Sequence, residues 1–252
     1  MQLTLTLMPV LASHILVRTL EGKIALITGG TGALGRAVSA AFVAAGARIV
    51  VTYVNEDEIP AFRAALPGGS YELAKVDLRS ASEIADLVGR ILATHGRVDV
   101  LSNLAGGFWG GVPLTETPEA ELDRLFAVNL KTAFLCAQAV VPAMLRQRAG
   151  SIVNVAARPA LTGGAGVSAY AIAKAGVVAL TRALADEVRE HGITVNAIAP
   201  STIDTAANRA AMPQADPSRW VKPEEIAATL VFLASDAAAA TSGAIIPIYG
   251  RS

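Results

Sequence analysis

Cysteine is almost absent from this chain: Cys136 is the single one in 252 residues, so no internal disulfide can form and a disulfide-stapled fold is excluded. A reducing compartment, the cytoplasm, is the expectation. Histidine is scarce too. His14, His95 and His191 stand far apart with no cysteine or carboxylate pattern around them, so no metal site is expected. There is no excess of either charge: 21 basic and 21 acidic side chains give a net charge of zero and a pI near 6.8. That balance offers no electrostatic footprint for nucleic acid or an anionic membrane. A long uninterrupted apolar run is missing as well. The apolar first 20 residues are broken by Pro9, His14 and Arg18 and follow no basic start, so they fit neither a bilayer span of about 20 residues nor a secretory signal. Residues 1–20 are expected to form an N-terminal extension lying on the domain or on a neighbouring subunit, with 21–252 as one domain.

Apolar residues are abundant, at 53%, while only 17% are charged, below the roughly 25% of ordinary soluble domains. Such a chain fills a large core, and disorder throughout is excluded. From Lys23 onward short apolar runs alternate with longer amphipathic ones. Strands are expected at 23–28, 47–53, 71–77, 98–103, 151–156, 193–199 and 244–249. Helices are expected at 33–45, 57–66, 81–95, 118–148, 168–190 and 223–235. Continuous apolar strands separated by helices indicate a parallel sheet covered on both faces. The fold class is therefore α/β: a Rossmann-like, doubly wound parallel sheet of about seven strands. The segment 205–222, rich in Pro and Ala, reads as a lid without a clear regular element.

The first strand runs directly into TGGTGALG, residues 28–35, and then into a helix. Glycines at such a junction permit a tight turn and close approach of a pyrophosphate, whose charge sits at the helix N-terminus. Gly29, Thr31, Gly32, Leu34 and Gly35 are the candidate nucleotide-binding residues there. A second pattern is YAIAK, in which Tyr170 and Lys174 fall four residues apart on one helix face. A phenol with a pKa near 10 donates a proton readily, and a neighbouring ammonium stabilises its phenolate and lowers that pKa. Chance produces such pairs in any helix, so this one persuades only jointly with the glycine turn.

Together TGGTGALG, NLAG at 103–106, Asn129, YAIAK and NAIAPSTIDT at 196–205 resemble the short-chain dehydrogenase/reductase family, in order and spacing, from about Lys23 to the C-terminus. The resemblance implies hydride transfer with NAD(H) or NADP(H), a small-molecule substrate and a homo-oligomer, dimer or tetramer. It implies that Tyr170 gives or takes the proton, that Lys174 binds the nicotinamide ribose, and that Asn129 holds a water in a proton relay. Asp77 and Leu78, in KVDL, match residues at the adenine. Asn103, Ala105 and Gly106 match the segment packing beside the cofactor, and Pro200 and Thr205 its nicotinamide half. Plainer roles stand beside these: a helix-bending Asn129, a helix-capping Asp77, a Thr205 that is only a loop hydroxyl.

The chain departs from the pattern at three points. Ala157 stands where the family carries a serine that hydrogen-bonds the substrate carbonyl, and Ala33 replaces the middle glycine of the turn. Losing one such donor lowers rates by on the order of 100- to 1000-fold. Thr162 or Ser168 is a candidate replacement; otherwise the substrate does without the donor, or the protein is a nucleotide-binding sensor with little catalysis. AGGFWGG at 105–111, Ala157 and the stretch 204–216 with Trp220 are locally similar to dihydropteridine reductases, members of the family that lack this serine. Their hydride acceptor is a conjugated ring, which Phe108 and Trp109 are placed to stack, unless those aromatics fill a gap or a subunit contact. Arg209 meets a polar substrate group or faces solvent. The third departure concerns cofactor choice: the second strand ends at Tyr53, Val54 and Asn55 without the acidic residue that binds a ribose 2′-hydroxyl. NADP(H) is therefore expected over NAD(H), with Arg36 and Arg48 the nearest cations.

Overall fold

The computed structural model describes residues 19–251. The extension expected over residues 1–20 lies outside the described residues except for Thr19 and Leu20, and Leu20 is fully buried with its N–H on the Ala45 carbonyl.

Seven strands form one sheet: β1 (Ile24–Thr28), β2 (Arg48–Tyr53), β3 (Tyr71–Lys75), β4 (Val100–Asn103), β5 (Gly150–Val155), β6 (Ile193–Pro200) and β7 (Ile245–Ile248). Their order is β3-β2-β1-β4-β5-β6-β7 and every pairing is parallel. The helices are α1 (Ala33–Ala44), α2 (Ile59–Ala65), α3 (Ala81–His95), α4 (Glu119–Leu125), α5 (Thr132–Gln147), α6 (Pro159–Thr162), α7 (Ser168–Val188), α8 (Ala206–Ala211) and α9 (Pro223–Ala234).

The period of two along β1 explains the two layers. Ala25 and Ile27 pack with Val38 and Phe42 of α1 and Ile226, Leu230 and Leu233 of α9. Ile24 and Leu26 point the other way, into Ile84, Leu87 and Ile91 of α3 and Val140 and Met144 of α5. Both faces are thus dry, which is why all of IALIT is apolar but its last residue. Phe42 and Phe62 are fully buried, and truncating either to alanine would cost about 3–5 kcal/mol.

Strand order reverses between β1 and its two neighbours β2 and β4, and ligands of such sheets bind outside the carboxyl ends at that switch point. The glycine turn after β1 and the segment after β4 meet there.

Two expected elements differ. The helix expected over 118–148 is interrupted by a π-helical stretch, Phe126–Lys131, between α4 and α5. The lid at 205–222 is more regular than expected, containing α8 and a 3₁₀ turn at Pro217–Arg219. Among the described residues the run Glu119–Gln147 has the length and hydropathy of a bilayer-spanning helix. Its α5 part packs on α3, α7, β4 and β5, which accounts for its apolar side chains.

Candidate active site

Two glycines make the nucleotide turn possible. Gly29 has φ +61° and lies against Ala105, where a Cβ would come within 2.9 Å of the Ala105 Cα. At Gly35 a Cβ would meet the Gly29 and Gly30 backbone at 2.5 Å, so only glycine lets α1 close onto the turn. Gly32 precedes α1 as its N-cap and offers no side-chain cap, and no acidic residue stands in the first turn of the helix. Its first N–H groups are left for an anion, and this cradle fits a dinucleotide pyrophosphate. Ala33 is exposed, so its methyl has room in place of the glycine. Leu34 packs against the core beneath. The Thr31 hydroxyl donates to the Glu58 carboxylate, while Arg36 Nη1 donates to the Thr31 carbonyl at 2.9 Å.

Helix α7 carries Tyr170 and Lys174. Lys174 is buried, and its Nζ donates to the Val155 carbonyl at 2.7 Å. That ammonium sits 6.0 Å from the Tyr170 ring centroid. Burial pushes the Tyr170 phenol up to about 12 and pulls Lys174 down to about 8. The expected lowering of the tyrosine by its lysine is thus not what this structure shows. The carbonyl of Val155 rather than the phenol holds the ammonium, and desolvation dominates. Asn129 is buried in the π-helical stretch, with Nδ2 donating to the carbonyls of Gly107 (2.9 Å) and Leu125 (3.0 Å). A Cβ on Gly106 would lie 2.6 Å from Asn129 Oδ1 and 3.4 Å from Lys174 Nζ, so the three residues converge.

A cavity of about 540 Å³ opens beside Tyr170, at the carboxyl ends of β5 and β6. Phe108, Ala157, Lys174 and Pro200 line it, and Phe108 stands edge-on to Tyr170 at 5.0 Å between centroids. Asn208 and Met212 of the lid segment also line it, as do Arg158, Ser201 and Thr202, which sequence reasoning missed. Their signal was position: each follows a strand end or sits on the lid. The Arg158 guanidinium lies 5.1 Å above the Tyr249 ring.

Several expected site residues fall elsewhere. Trp109 packs on Leu125, Ala169 and Ala173, filling the gap between the loop and α4 and α7 rather than the cavity. Thr162 is exposed, with its hydroxyl on the carbonyls of Arg158 and Gly163, so it does not replace the serine. Arg209 is paired with Asp204, and both line a separate recess. Trp220 is buried next to Val221, whose bridge to Ile203 anchors the lid. Thr205 caps α8 by accepting from the Asn208 N–H, and shares a recess with Ala33 and Arg36. Asn103 turns inward: its Nδ2 donates to Asn154, which donates to Thr181, tying β4 and β5 to α7. Leu78 is core, under Ile84 and Leu87. Asp77 does not cap α3, since Ser80 does; Arg79 beside it holds its carboxyl down to about 2. Tyr53 ends β2, half-buried.

A glycine-lined turn at the switch point of a parallel α/β sheet, with a Tyr–Lys helix lining a cavity at the carboxyl ends of β5 and β6, is the arrangement of a nucleotide-dependent enzyme class. The family model described as short chain dehydrogenase matches residues 23–216. The chain is 34% identical over 241 residues to the 3-oxoacyl-[acyl-carrier-protein] reductase FabG of Thermotoga maritima, covering 92% of this chain and 98% of that one. It is 36% identical over 242 residues to the D-threitol dehydrogenase of Mycolicibacterium smegmatis, covering 92% and 93%. The crystal structure of levodione reductase superposes with a TM-score of 0.85 at 32% identity, covering 91% of this chain and 97% of that one.

The chain belongs to the short-chain dehydrogenase/reductase family. It is an NAD(P)-dependent oxidoreductase.

Proposed function

We propose that the protein reduces a carbonyl or a conjugated ring compound, pterin- or quinone-like, with Tyr170 as proton donor. Gly29, Thr31, Gly32 and Gly35 would hold the dinucleotide pyrophosphate, with Ala105 and Gly106 beside it and Lys174 at the nicotinamide ribose. The bound nicotinamide supplies the hydride. Tyr170 delivers the proton to the atom that gains negative charge, and a phenol held far above neutrality is a ready donor. The observation that carries this reading is the cavity itself: the Tyr170 ring stands between Phe108 and Lys174, and Ala157 offers no hydroxyl. An acceptor that spreads its charge over a ring needs that hydroxyl less than an isolated ketone does.

Residues 21–252 would form a single domain, working in the cytoplasm as a homo-oligomer. Phe134 on α5, Ile172 on α7 and Phe232 on α9 are exposed large apolar side chains that a second copy would cover. Light scattering after size exclusion tests this, and a monomer at micromolar concentration would remove it.

The expected preference for NADP(H) over NAD(H) lacks support from its two cations. Arg36 is engaged on the Thr31 carbonyl, and Arg48 lies at the opposite end of β2, in register with Ile24. The function is tested by following oxidation of NADH and NADPH with a quinonoid dihydropterin, an ortho-quinone, an activated ketone and a β-ketoester. Turnover of the conjugated compounds is expected. Efficient turnover of the ketones alone would overturn the ring-substrate reading.

A further inference from the structure

The strand-end positions 53–55 carry no carboxylate, yet the chain brings one back. After β2 the backbone turns at Asn55, whose side chain accepts from the Asp57 N–H, and a 3₁₀ turn spans Glu56–Glu58. At its end Glu58 reaches across to the glycine turn and accepts a hydrogen bond from the Thr31 hydroxyl. The two residues are 27 apart in sequence and partly buried together. In this fold the pyrophosphate sits at the start of α1 and the adenosine ribose between the glycine turn and the end of β2. The Glu58–Thr31 contact bridges those two places.

The charges around the contact favour a neutral ribose over a phosphorylated one. Lys75, at the end of β3, is neutralised by Glu56 at 2.7 Å. Arg36 keeps its charge, with Nη1 held on the Thr31 carbonyl at 2.9 Å. Glu58 therefore lies against the glycine turn with no cationic partner among the described residues, while Asp57 is exposed one residue away. A carboxylate there accepts from a 2′-hydroxyl, whereas a 2′-phosphate would meet like charge and find the Thr31 hydroxyl already taken.

We propose that Glu58, held by Thr31, is the residue that selects NAD(H) and rejects NADP(H) in this enzyme, which reverses the expectation from the strand end. The inference rests on dinucleotide binding at the glycine turn. The test is equilibrium binding of NADH and NADPH, read by the fluorescence of the reduced nicotinamide or by calorimetry, on the full chain and on Glu58→Gln and Asp57→Asn. Like-charge juxtaposition predicts that the full chain binds NADH about a hundredfold more tightly than NADPH. Glu58→Gln is expected to close most of that gap by tightening NADPH. Asp57→Asn removes the same charge one residue away without touching Thr31, and is expected to leave the ratio within about twofold.

Three results would overturn the proposal: NADPH preferred by the unaltered chain, a ratio unmoved by Glu58→Gln, or equal shifts in both variants. Binding of neither dinucleotide would instead remove the glycine-turn reading beneath it, so the two failures are distinguishable.

Discussion

Asn129 and Gly107 are joined by a reciprocal pair of hydrogen bonds: the Gly107 N–H donates to Oδ1 at 3.1 Å, and Nδ2 donates back to the Gly107 carbonyl at 2.9 Å. The second Nδ2 hydrogen goes to the carbonyl of Leu125, four residues earlier at the end of α4. The amide thus locks the segment after β4 onto the helical run, and both of its N–H hydrogens have backbone partners. A water held by this side chain would have only the remaining lone pair of Oδ1 to donate to.

Asn129→Ala is therefore expected to lower stability by about 1–3 kcal/mol, because buried backbone groups lose their partners. Asn129→Asp is expected to be worse, although it is nearly the same size. Its carboxylate would face the carbonyls of Gly107 and Leu125, acceptor against acceptor. Chemical denaturation of both variants checks the order, and an Asp variant more stable than the Ala variant would contradict the geometry.

The layers of the fold were legible because β1 and its glycine turn are local: five residues buried on two faces, followed by glycines with no room for a Cβ. The π-helical stretch was not. Shifting one turn of bonding at 126–131 hardly disturbs a 3.6-residue apolar pattern. For Trp109 the sequence leaves stacking and gap-filling both open, since the face a loop side chain takes is decided by α4 and α7, distant in sequence. Glu58 escaped for a related reason. Its importance lies in meeting Thr31, and only the β1–α1–β2 crossover brings them together. Tyr170 and Lys174 were found by spacing, but their electrostatics were not, because burial rather than proximity sets both pKa values.

Lys174 has a native pKa pulled down to about 8 from 10.5. Between those values the unfolded chain binds the proton and the native one does not, so this residue makes stability rise with pH across that window. Below about pH 8 the native state carries the buried charge. Lys174→Met removes the titration, so the gap in unfolding free energy between the original chain and the variant should change by on the order of 1–3 kcal/mol from pH 7 to pH 10. Denaturant titrations at the two pH values measure it. A gap independent of pH would show that Lys174 keeps an ordinary pKa.

Tyr170→Phe removes the phenol and leaves the ring, with its edge-on contact to Phe108, in place. Turnover is expected to fall by about 100- to 10,000-fold, the usual contribution of a positioned proton donor, with dinucleotide affinity preserved within a few fold. Stopped-flow reduction and a binding titration on the same sample separate the two. Retained turnover would remove Tyr170 from the mechanism.

Ala157 is buried, and its methyl lines the cavity that Tyr170 faces. Ala157→Ser adds one oxygen there, a change small enough to leave the fold intact. For a ketone, whose negative charge concentrates on one atom, a second donor beside Tyr170 should raise kcat by about 10- to 100-fold. For a conjugated ring acceptor the charge is spread over several atoms, and the same hydroxyl should change kcat less than threefold, a difference of under 1 kcal/mol in barrier. The ratio of the two effects, measured with one ketone and one quinonoid compound, therefore reports what the alanine is for. A serine variant that speeds both substrates equally would mean that Ala157 weakens a general donor site, and that the conjugated acceptor holds no special place in this enzyme.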